Sequence, residues 1–223
     1  MPGQGLLLVM TDIPAEIEDE FNRWYDEEHV RDMLAFQGVL SARRYRVVEG
    51  QPTYLAMYDL KDSDVVEQAE YQYVSGWSPL ANPLSISISN RYFNTIRGVY
   101  QHLLTLPSPE PSDVSGARAL MLRGLGIDPE HEEEVHDWYN TEHLPNLSRV
   151  SGVLRARRYR LNTDASHLKG NPPVYMAVYE LERRDALDGE EWKRAVETPW
   201  TDRVRRFFRT PSLRNVYERI VPA

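Results

Sequence analysis

Two copies of a Glu-His pair are the residues of this chain best suited to acid–base chemistry. Residues 24–29 and 138–143 read WYDEEH and WYNTEH, so both pairs close the same kind of segment. Histidine titrates near neutral pH and is the usual proton carrier there, and a position near a helix C-terminus favours its charged form. We predict that His29 and His143 are catalytic. The alternative is that each histidine caps its own helix or bonds a backbone carbonyl.

The glutamates and tryptophans of these segments are expected to have supporting roles. Successive side chains of an α-helix point about 100° apart, so the Glu and His of one pair need separate partners. We expect each glutamate to pair with an arginine of the following strand and each tryptophan to pack in the core. The four supporting residues are Trp24, Glu28, Trp138 and Glu142.

Two arginine-rich segments are the second candidate for chemistry. Residues 38–46 read GVLSARRYR and residues 152–160 read GVLRARRYR. Side chains alternate along a strand, so Arg43 shares a face with Tyr45, and Arg157 shares one with Tyr159. A covered arginine needs an anion, which either a protein carboxylate or a substrate can supply. We predict that these four residues bind substrate; the alternative is pairing with helix glutamates or exposure at the strand end.

A tyrosine pattern follows in both copies, where residues 54–58 and 175–179 read YLAMY and YMAVY. We expect the aliphatic positions to face helices and the Tyr-Ala-Tyr positions to face a barrel interior, where the small alanine leaves room for a flat ligand. The alternative is that these aromatic residues are ordinary core. The predicted ligand contacts are Tyr54, Tyr58, Tyr175 and Tyr179.

The sequence predicts neither a metal nor a cofactor. His136 and His143 share a helix face, but their spacing of seven residues separates them by roughly 10 Å, too far for one ion. The chain has no HExxH motif, no glycine-rich phosphate loop and no GxSxG nucleophile elbow.

An internal duplication organises these motifs. The WY and GVL segments recur at a constant offset of 114 residues and the YxAxY segments at 121, which leaves about seven extra residues near residues 164–173 of the second copy. Matches in the same order predict two fused copies of one unit. We assign residues 1–108 to the first repeat and residues 109–223 to the second.

Each copy is predicted to have the order β-α-β-β-α-β, which is typical of a ferredoxin-like unit. Asp128 and Pro129 suit the start of a helix, and this helix is expected to end before Pro145. Such a sheet has helices on one face and needs cover on the other, so two units can pack sheet against sheet as a barrel. The predicted strands are 6–10, 39–48, 53–60 and 92–106, then 119–122, 153–161, 175–181 and 213–221, with second helices at 63–75 and 184–196.

Composition narrows the class of protein. The 34 acidic and 26 basic residues give a net charge of −8, which lacks the basic footprint of a nucleic-acid binder. Cysteine is absent, which fits a reducing cytoplasm. The apolar run at residues 6–10 is too short for a signal peptide or a membrane span. We expect a cytoplasmic protein that binds neither nucleic acid nor membrane.

The element order, the W-Y-x-x-E-H segment and the G-V-L-x-A-R-R-Y strand together resemble the dimeric α/β barrel superfamily and, within it, the EthD-related proteins of ether degradation. The resemblance covers both halves and implies an α+β fold of two ferredoxin-like repeats packed sheet to sheet as a pseudo-dimeric barrel. It also implies that the helix-end histidines lie at the barrel mouth. That superfamily includes cofactor-free monooxygenases, isomerases, decarboxylases, cyclases and heme enzymes, so the resemblance leaves the reaction open.

These observations favour a cofactor-independent enzyme acting on a small conjugated anion, such as a product of aromatic breakdown. A histidine would move the proton and the arginines and tyrosines would hold an enolate or carboxylate, as in a cis–trans or tautomeric isomerase or a decarboxylase. The alternatives are a heme enzyme of the chlorite dismutase type and a non-catalytic, EthD-like small-molecule-binding protein. We expect the site where the two copies face each other, in a monomeric pseudo-dimer or a homodimer.

Overall fold

The computed structural model describes residues 3–107 and 114–220, and its strands close into one antiparallel barrel. We call residues 3–107 the first half and residues 114–220 the second half. The strands are β1 Gly5–Asp12, β2 Val39–Glu49, β3 Tyr54–Leu60, β4 Phe93–Leu106, β5 Ala119–Ile127, β6 Val153–Leu161, β7 Tyr175–Leu181 and β8 Phe208–Ile220.

Helices cover the outside of this barrel. They are α1 Glu18–Trp24, α2 Val30–Ala35, α3 Ala69–Ser75, α4 Pro83–Ser89, α5 Glu132–Trp138, α6 Leu144–Leu147, α7 Glu190–Val196 and α8 Pro199–Val204. A π-helical turn, Tyr25–His29, joins α1 to α2, and a second one, Tyr139–His143, joins α5 to α6. None of the helices in the described residues is both long and apolar enough to cross a membrane.

The strands of both halves have the same spatial order. The barrel runs β1-β3-β2-β8-β5-β7-β6-β4 and returns to β1, so the first half contributes β4-β1-β3-β2 and the second β8-β5-β7-β6. The β2–β8 and β4–β6 pairs join the halves. The predicted α+β barrel is confirmed. The boundary predicted at residue 108 lies outside the described residues, and the division into two repeats stays a prediction.

The barrel interior is filled by aliphatic and aromatic side chains, as a narrow eight-stranded barrel requires. Leu55 and Met57 of β3 belong to this interior cluster, as do Met176 and Val178 of β7. The prediction that these aliphatic residues face helices was therefore wrong. The tyrosines alternating with them, Tyr54, Tyr58, Tyr175 and Tyr179, pack instead with the helices on the outer face of the sheet.

Three sequence predictions about elements need correction. The helix expected to end before Pro145 continues as α6, because proline is tolerated in the first turn after the π-helical segment. The helices predicted at 63–75 and 184–196 each begin with a separate 3₁₀ turn, Ser63–Glu67 and Arg184–Asp188. Helices α4 and α8 were not predicted from the sequence. Both begin with a proline after a side-chain cap, from Asn82 and Thr198.

Candidate active site in the second half

A cavity of about 430 Å³ lies in the second half between the outer face of the sheet and the helices. Strands β5, β7 and β8 form its floor, and α5, α7 and α8 contribute to its walls. We call it the second-half cavity. Its lining residues are Met121, Arg123, Trp138, Tyr139, His143, Leu147, Tyr179, Trp192, Val196, Thr201, Arg205, Phe208 and Arg214. Aromatic walls combined with a few charged groups are typical of a small-molecule site.

The π-helical turn determines which side chains of the WYxxEH segment face this cavity. A π turn closes i→i+5 hydrogen bonds, so residues five apart come together instead of residues four apart. The His143 imidazole accordingly stacks on the Trp138 indole, with ring centroids 4.2 Å apart and an angle of 25° between the planes. Tyr139 meets the edge of the same imidazole at 5.3 Å. An α-helical interpretation would have placed Glu142 beside Trp138.

His143 is enclosed and electrically neutral at physiological pH. Burial, together with the charges of Arg158, Arg205 and Arg123, lowers the pKa of its imidazole to about 3. Its Nδ1 is sealed from solvent and has no hydrogen-bond partner in the described part of the chain. Since the residue lines the cavity, Nε2 is the nitrogen available to a ligand. The expected helix-end stabilisation of a charged histidine at the barrel mouth was wrong, because the helix continues and the ring is buried.

A chain of hydrogen bonds fixes the tryptophan against which His143 packs. The Trp138 indole Nε1 donates to Thr201 Oγ1 at 3.2 Å, and that hydroxyl lies 2.9 Å from Thr198 Oγ1. Thr198 Oγ1 in turn donates to Glu142 Oε1 at 2.6 Å. Glu142 therefore anchors α8 and does not pair with a strand arginine as predicted. Its counterpart Glu28 is exposed.

Three arginines that sequence analysis did not select line the second-half cavity. Arg123 donates to Ser212 Oγ at 2.9 Å and to the Leu213 carbonyl at 3.0 Å. Arg205 and Arg214 are about half exposed and pair with exposed carboxylates. Aligning β1 with β5 could have found Arg123. In that alignment Arg123 matches Val9, so a charged residue stands where the first half has an apolar one.

The corresponding region of the first half is closed. His29 stacks on Trp24 at 4.2 Å, and burial together with Arg44 lowers the pKa of His29 to about 3. The cavity beside it has a volume of only about 10 Å³. The side chains that fill it include Tyr71, Trp77 and Tyr92.

The segment between β6 and β7 helps to close the first half. The buried Arg97 donates to the carbonyls of Ser166 and His167 at 2.9 and 3.0 Å, and to Tyr71 Oη at 3.2 Å. When β4 and β8 are aligned through their pairing with β1 and β5, Arg97 corresponds to Arg214. Arg214 is half exposed at the rim of the second-half cavity. The halves therefore differ in accessible space although the histidine and tryptophan occupy matching positions.

The predicted substrate arginines have protein partners inside the barrel. Arg43 bonds Asp59 at 2.6 Å and also pairs with Glu180 of the other half. Arg157 bonds Asp59 at 2.5 Å across the same boundary, and Arg155 pairs with Glu180. The strand carboxylates thus supply the anion for Arg43 and Arg157, for which the alternative pairing with helix glutamates was wrong. Arg46 of the same segment does pair with a helix glutamate, Glu18, at 3.3 Å.

The predicted tyrosines fall into four environments, of which the small first-half cavity beside His29 is lined by Tyr58. Tyr45 and Tyr159 are fully buried in the barrel interior, where aliphatic side chains such as Leu55 and Met176 pack in the same cluster. Their surroundings are those of ordinary core residues.

Tyr54 and Tyr175 donate to the helix carboxylates of Glu18 and Glu132. Only Tyr179 lines the second-half cavity, and its buried hydroxyl has no hydrogen-bond partner among the described residues. The structure brings His143, Trp138 and Tyr179 together, whereas the predicted arginines Arg43 and Arg157 lie inside the barrel. The candidate site thus lies within the second half and not between the halves, where it was expected.

The described segments contain no group of three or more His, Asp or Glu side chains able to hold a metal ion. If the cavity held a heme iron, which the chlorite dismutase resemblance implies, His143 is the histidine that could be its axial ligand there. Metal-ligating histidines almost always donate their other ring N–H to a neighbour, and Nδ1 of His143 has no such acceptor among the described residues. His143 therefore does not fit the role of an axial heme ligand.

Comparison with known proteins identifies the fold. A family described as a domain of unknown function, DUF4286, matches residues 4–79, about a third of the chain. No curated protein matches the chain.

Among solved structures, an anthrone oxidase-like protein is 13% identical with a TM-score of 0.67, covering 97% of this chain and 91% of its own. A candidate monooxygenase from Lactobacillus acidophilus is 10% identical with a TM-score of 0.58, covering 97% and 94%. A chlorite dismutase variant from Candidatus Nitrospira defluvii is 12% identical with a TM-score of 0.58, covering 97% and 92%. The chain therefore shares its fold, an antiparallel barrel covered by helices, with these structures.

Proposed function

We propose that this protein is an enzyme that works without a cofactor and abstracts a proton from a small, flat, conjugated anion bound in the second-half cavity. The observation that carries the proposal is a neutral imidazole, that of His143, lining an aromatic cavity of about 430 Å³ with arginines at its wall. A neutral imidazole can accept a proton, and arginine can hold a carboxylate or an enolate. The matching histidine of the first half has no such space and is assigned a structural role.

The proposed reaction is an isomerisation through an enolate. A C–H bond next to a carbonyl breaks, its proton moves to Nε2 of His143, and its electron pair moves onto the carbonyl oxygen. Arg123 and the Tyr179 hydroxyl stabilise the negative oxygen. His143 then returns the proton to another atom of the conjugated system, so that the substrate is rearranged without net oxidation. Decarboxylation of a β-keto acid would pass through the same enolate.

Ligand binding itself would prepare His143 for this step. Burial and the charges of three arginines lower the pKa of the free imidazole, and an anion bound near these arginines offsets the part that is due to their charge. The imidazole thereby becomes more basic when the substrate is present. This coupling favours a substrate that carries a negative charge before it reacts.

Deuterium exchange tests the proposal directly. Phenylpyruvate, a conjugated keto acid with an acidic methylene group, is incubated with the protein in D₂O and followed by proton NMR. We expect exchange with the wild type and with His29→Gln, and at least a hundredfold slower exchange with His143→Gln. Equal exchange rates for folded His143→Gln and the wild type would reject the mechanism.

Oxygenation is a second candidate, because two of the similar structures are described as an anthrone oxidase-like protein and a candidate monooxygenase. The same enolate would then give up electrons to dissolved O₂, so that a methylene group becomes a carbonyl: one oxygen atom enters the product and the other leaves as water with the two protons of the methylene group. An oxygen electrode separates the two reactions, since isomerisation consumes no O₂.

Two simple measurements distinguish the proposed enzyme from a heme protein and from a carrier. A Soret band after heme addition would support a heme enzyme. Tight binding of phenylpyruvate without deuterium exchange would support a carrier.

A further inference from the structure

Each half has a buried arginine behind the stacked aromatic residues, and the two halves differ in the side chains to which this arginine donates hydrogen bonds. In the first half, Arg44 bonds Asp26 Oδ1 at 2.6 Å, forming an ion pair, and Asn22 Oδ1 at 2.6 Å. The second-half counterpart of Asp26 is Asn140, because both follow the WY dipeptide directly. An amide thus replaces the carboxylate at this position.

Arg158 occupies the place of Arg44 and is only 2% exposed. It donates to Asn140 Oδ1 and to His136 Nδ1, both at 2.9 Å. Within residues 3–107 and 114–220, no carboxylate forms an ion pair with it. The carboxylate of Glu132 contacts Arg158 only indirectly, through His136. Its Oε1 lies 3.6 Å from Nε2 of His136, whereas Arg158 bonds Nδ1 of the same ring.

Arg158 also lies directly behind the cavity wall. Its guanidinium carbon is 4.0 Å from the centroid of the Tyr139 ring, and Tyr139 lines the second-half cavity. A buried cation without a paired carboxylate is costly, and an anion bound nearby reduces that cost. In the first half, where the corresponding space is filled, the carboxylate of Asp26 has this role.

We propose that Arg158, left without a carboxylate by Asn140, makes the second-half cavity selective for anionic over neutral aromatic ligands. Arg158 acts through Tyr139, as a specificity-determining residue that does not touch the ligand. Its field adds to that of Arg123, which lines the cavity. This inference rests on the proposed function, because it assumes that the second-half cavity is the binding site.

The test restores the carboxylate that the first half carries. Isothermal titration calorimetry measures the Kd of 2-naphthoate and of the neutral 2-naphthamide, which have the same rings. We expect the wild type to prefer naphthoate, and Asn140→Asp to reduce this preference about three- to tenfold, as screened charges at this range predict. The affinity for naphthamide should stay the same, which a merely structural change would not produce.

Thr141→Asp is the matched control. It adds the same charge one residue away at an exposed position, where the first half has Glu27. We expect this variant to keep the wild-type preference. Equal loss in both variants, an unchanged preference in Asn140→Asp, or no naphthoate preference in the wild type would overturn the inference. These binding measurements do not depend on turnover. A negative result here therefore rejects the selectivity of the cavity, whereas a negative deuterium-exchange result rejects proton abstraction.

Discussion

The His143 imidazole and the Trp138 indole lie face to face at 4.2 Å, and His29 and Trp24 repeat this stack at the same distance. Both stacks span five residues and follow from the π-helical turn between two α-helices. Such turns frequently occur at functional sites, because they change which side chains share a face. His143 lines a cavity of about 430 Å³, whereas the space beside His29 is about 10 Å³, so the local motif alone does not make a site.

The hydrogen-bond chain behind Trp138 should contribute to stability. Thr201→Val removes the acceptor of the indole N–H and leaves that buried donor unsatisfied. We expect the free energy of unfolding to fall by about 1–3 kcal/mol in urea denaturation. Thr141→Val, which removes an exposed bond to the Asp137 carbonyl, is the control and should be nearly neutral. Equal effects would show that the chain has no special role.

The buried charges that join the halves should be the most sensitive to substitution. Glu180 is fully buried among Arg43, Arg155 and Arg157, so Glu180→Gln leaves three arginines with Asp59 alone. Removing one member of a buried ion-pair network costs about 3–5 kcal/mol.

The control for this substitution is an exposed ion pair. Asp185→Asn disrupts the contact with Arg183, in which both side chains are largely exposed, and should leave the thermal midpoint unchanged. A small loss in Glu180→Gln would mean that the network is dispensable for folding.

The buried histidines should make the protein less stable in mild acid. Burial lowers the pKa of both His29 and His143 to about 3, whereas histidine in the unfolded chain titrates near 6.5. The unfolded state therefore binds more protons between these values, and the free energy of unfolding decreases as the pH falls from about 6.5 towards 3.

Urea midpoints at pH 7 and pH 5 measure this decrease. His29→Gln and His143→Gln should each make it smaller, and the double variant should reduce it most. A pH dependence identical to that of the wild type in the double variant would contradict the assignment of both rings as neutral.

The filled first half should tolerate truncation less well than the open second half. Tyr71 of α3 and Trp192 of α7 occupy matching positions, but Tyr71 fills the closed region and bonds Arg97. We expect Tyr71→Ala to cost about 3–5 kcal/mol. Trp192→Ala should cost less, because its ring already borders a cavity, and it should weaken 2-naphthoate binding. Chemical denaturation and calorimetry check both results.

Local pattern predicted most of the fold. Alternating strand residues, glycine breaks and the internal duplication gave the order of the principal strands and the barrel. The recurrence of the motifs identified the histidine and tryptophan pairs, since they occur at matching positions in both halves. Helices α4 and α8 were missed because they are short, and their proline starts resemble loop sequence.

The faces of the strands could not be derived from alternation alone. Alternation shows which residues share a face, but not which face turns inward. In this protein the aliphatic set of β3 and β7 fills the narrow interior, while the tyrosines reach the helix layer, where Glu18 and Glu132 accept from two of them. The prediction was inverted because both sets are apolar enough for either side.

The sequence by itself determined the residue types at the site: a histidine and a tryptophan in each copy, separated by five positions. Only the tertiary structure decided that one copy has room for a ligand. That space depends on side chains distant in the sequence, since Tyr71, Trp77 and Tyr92 fill one half while Arg123, Trp192 and Phe208 line an opening in the other. Burial also decided the charge of the histidines, because desolvation acts through the whole surrounding structure and not through neighbours in the chain.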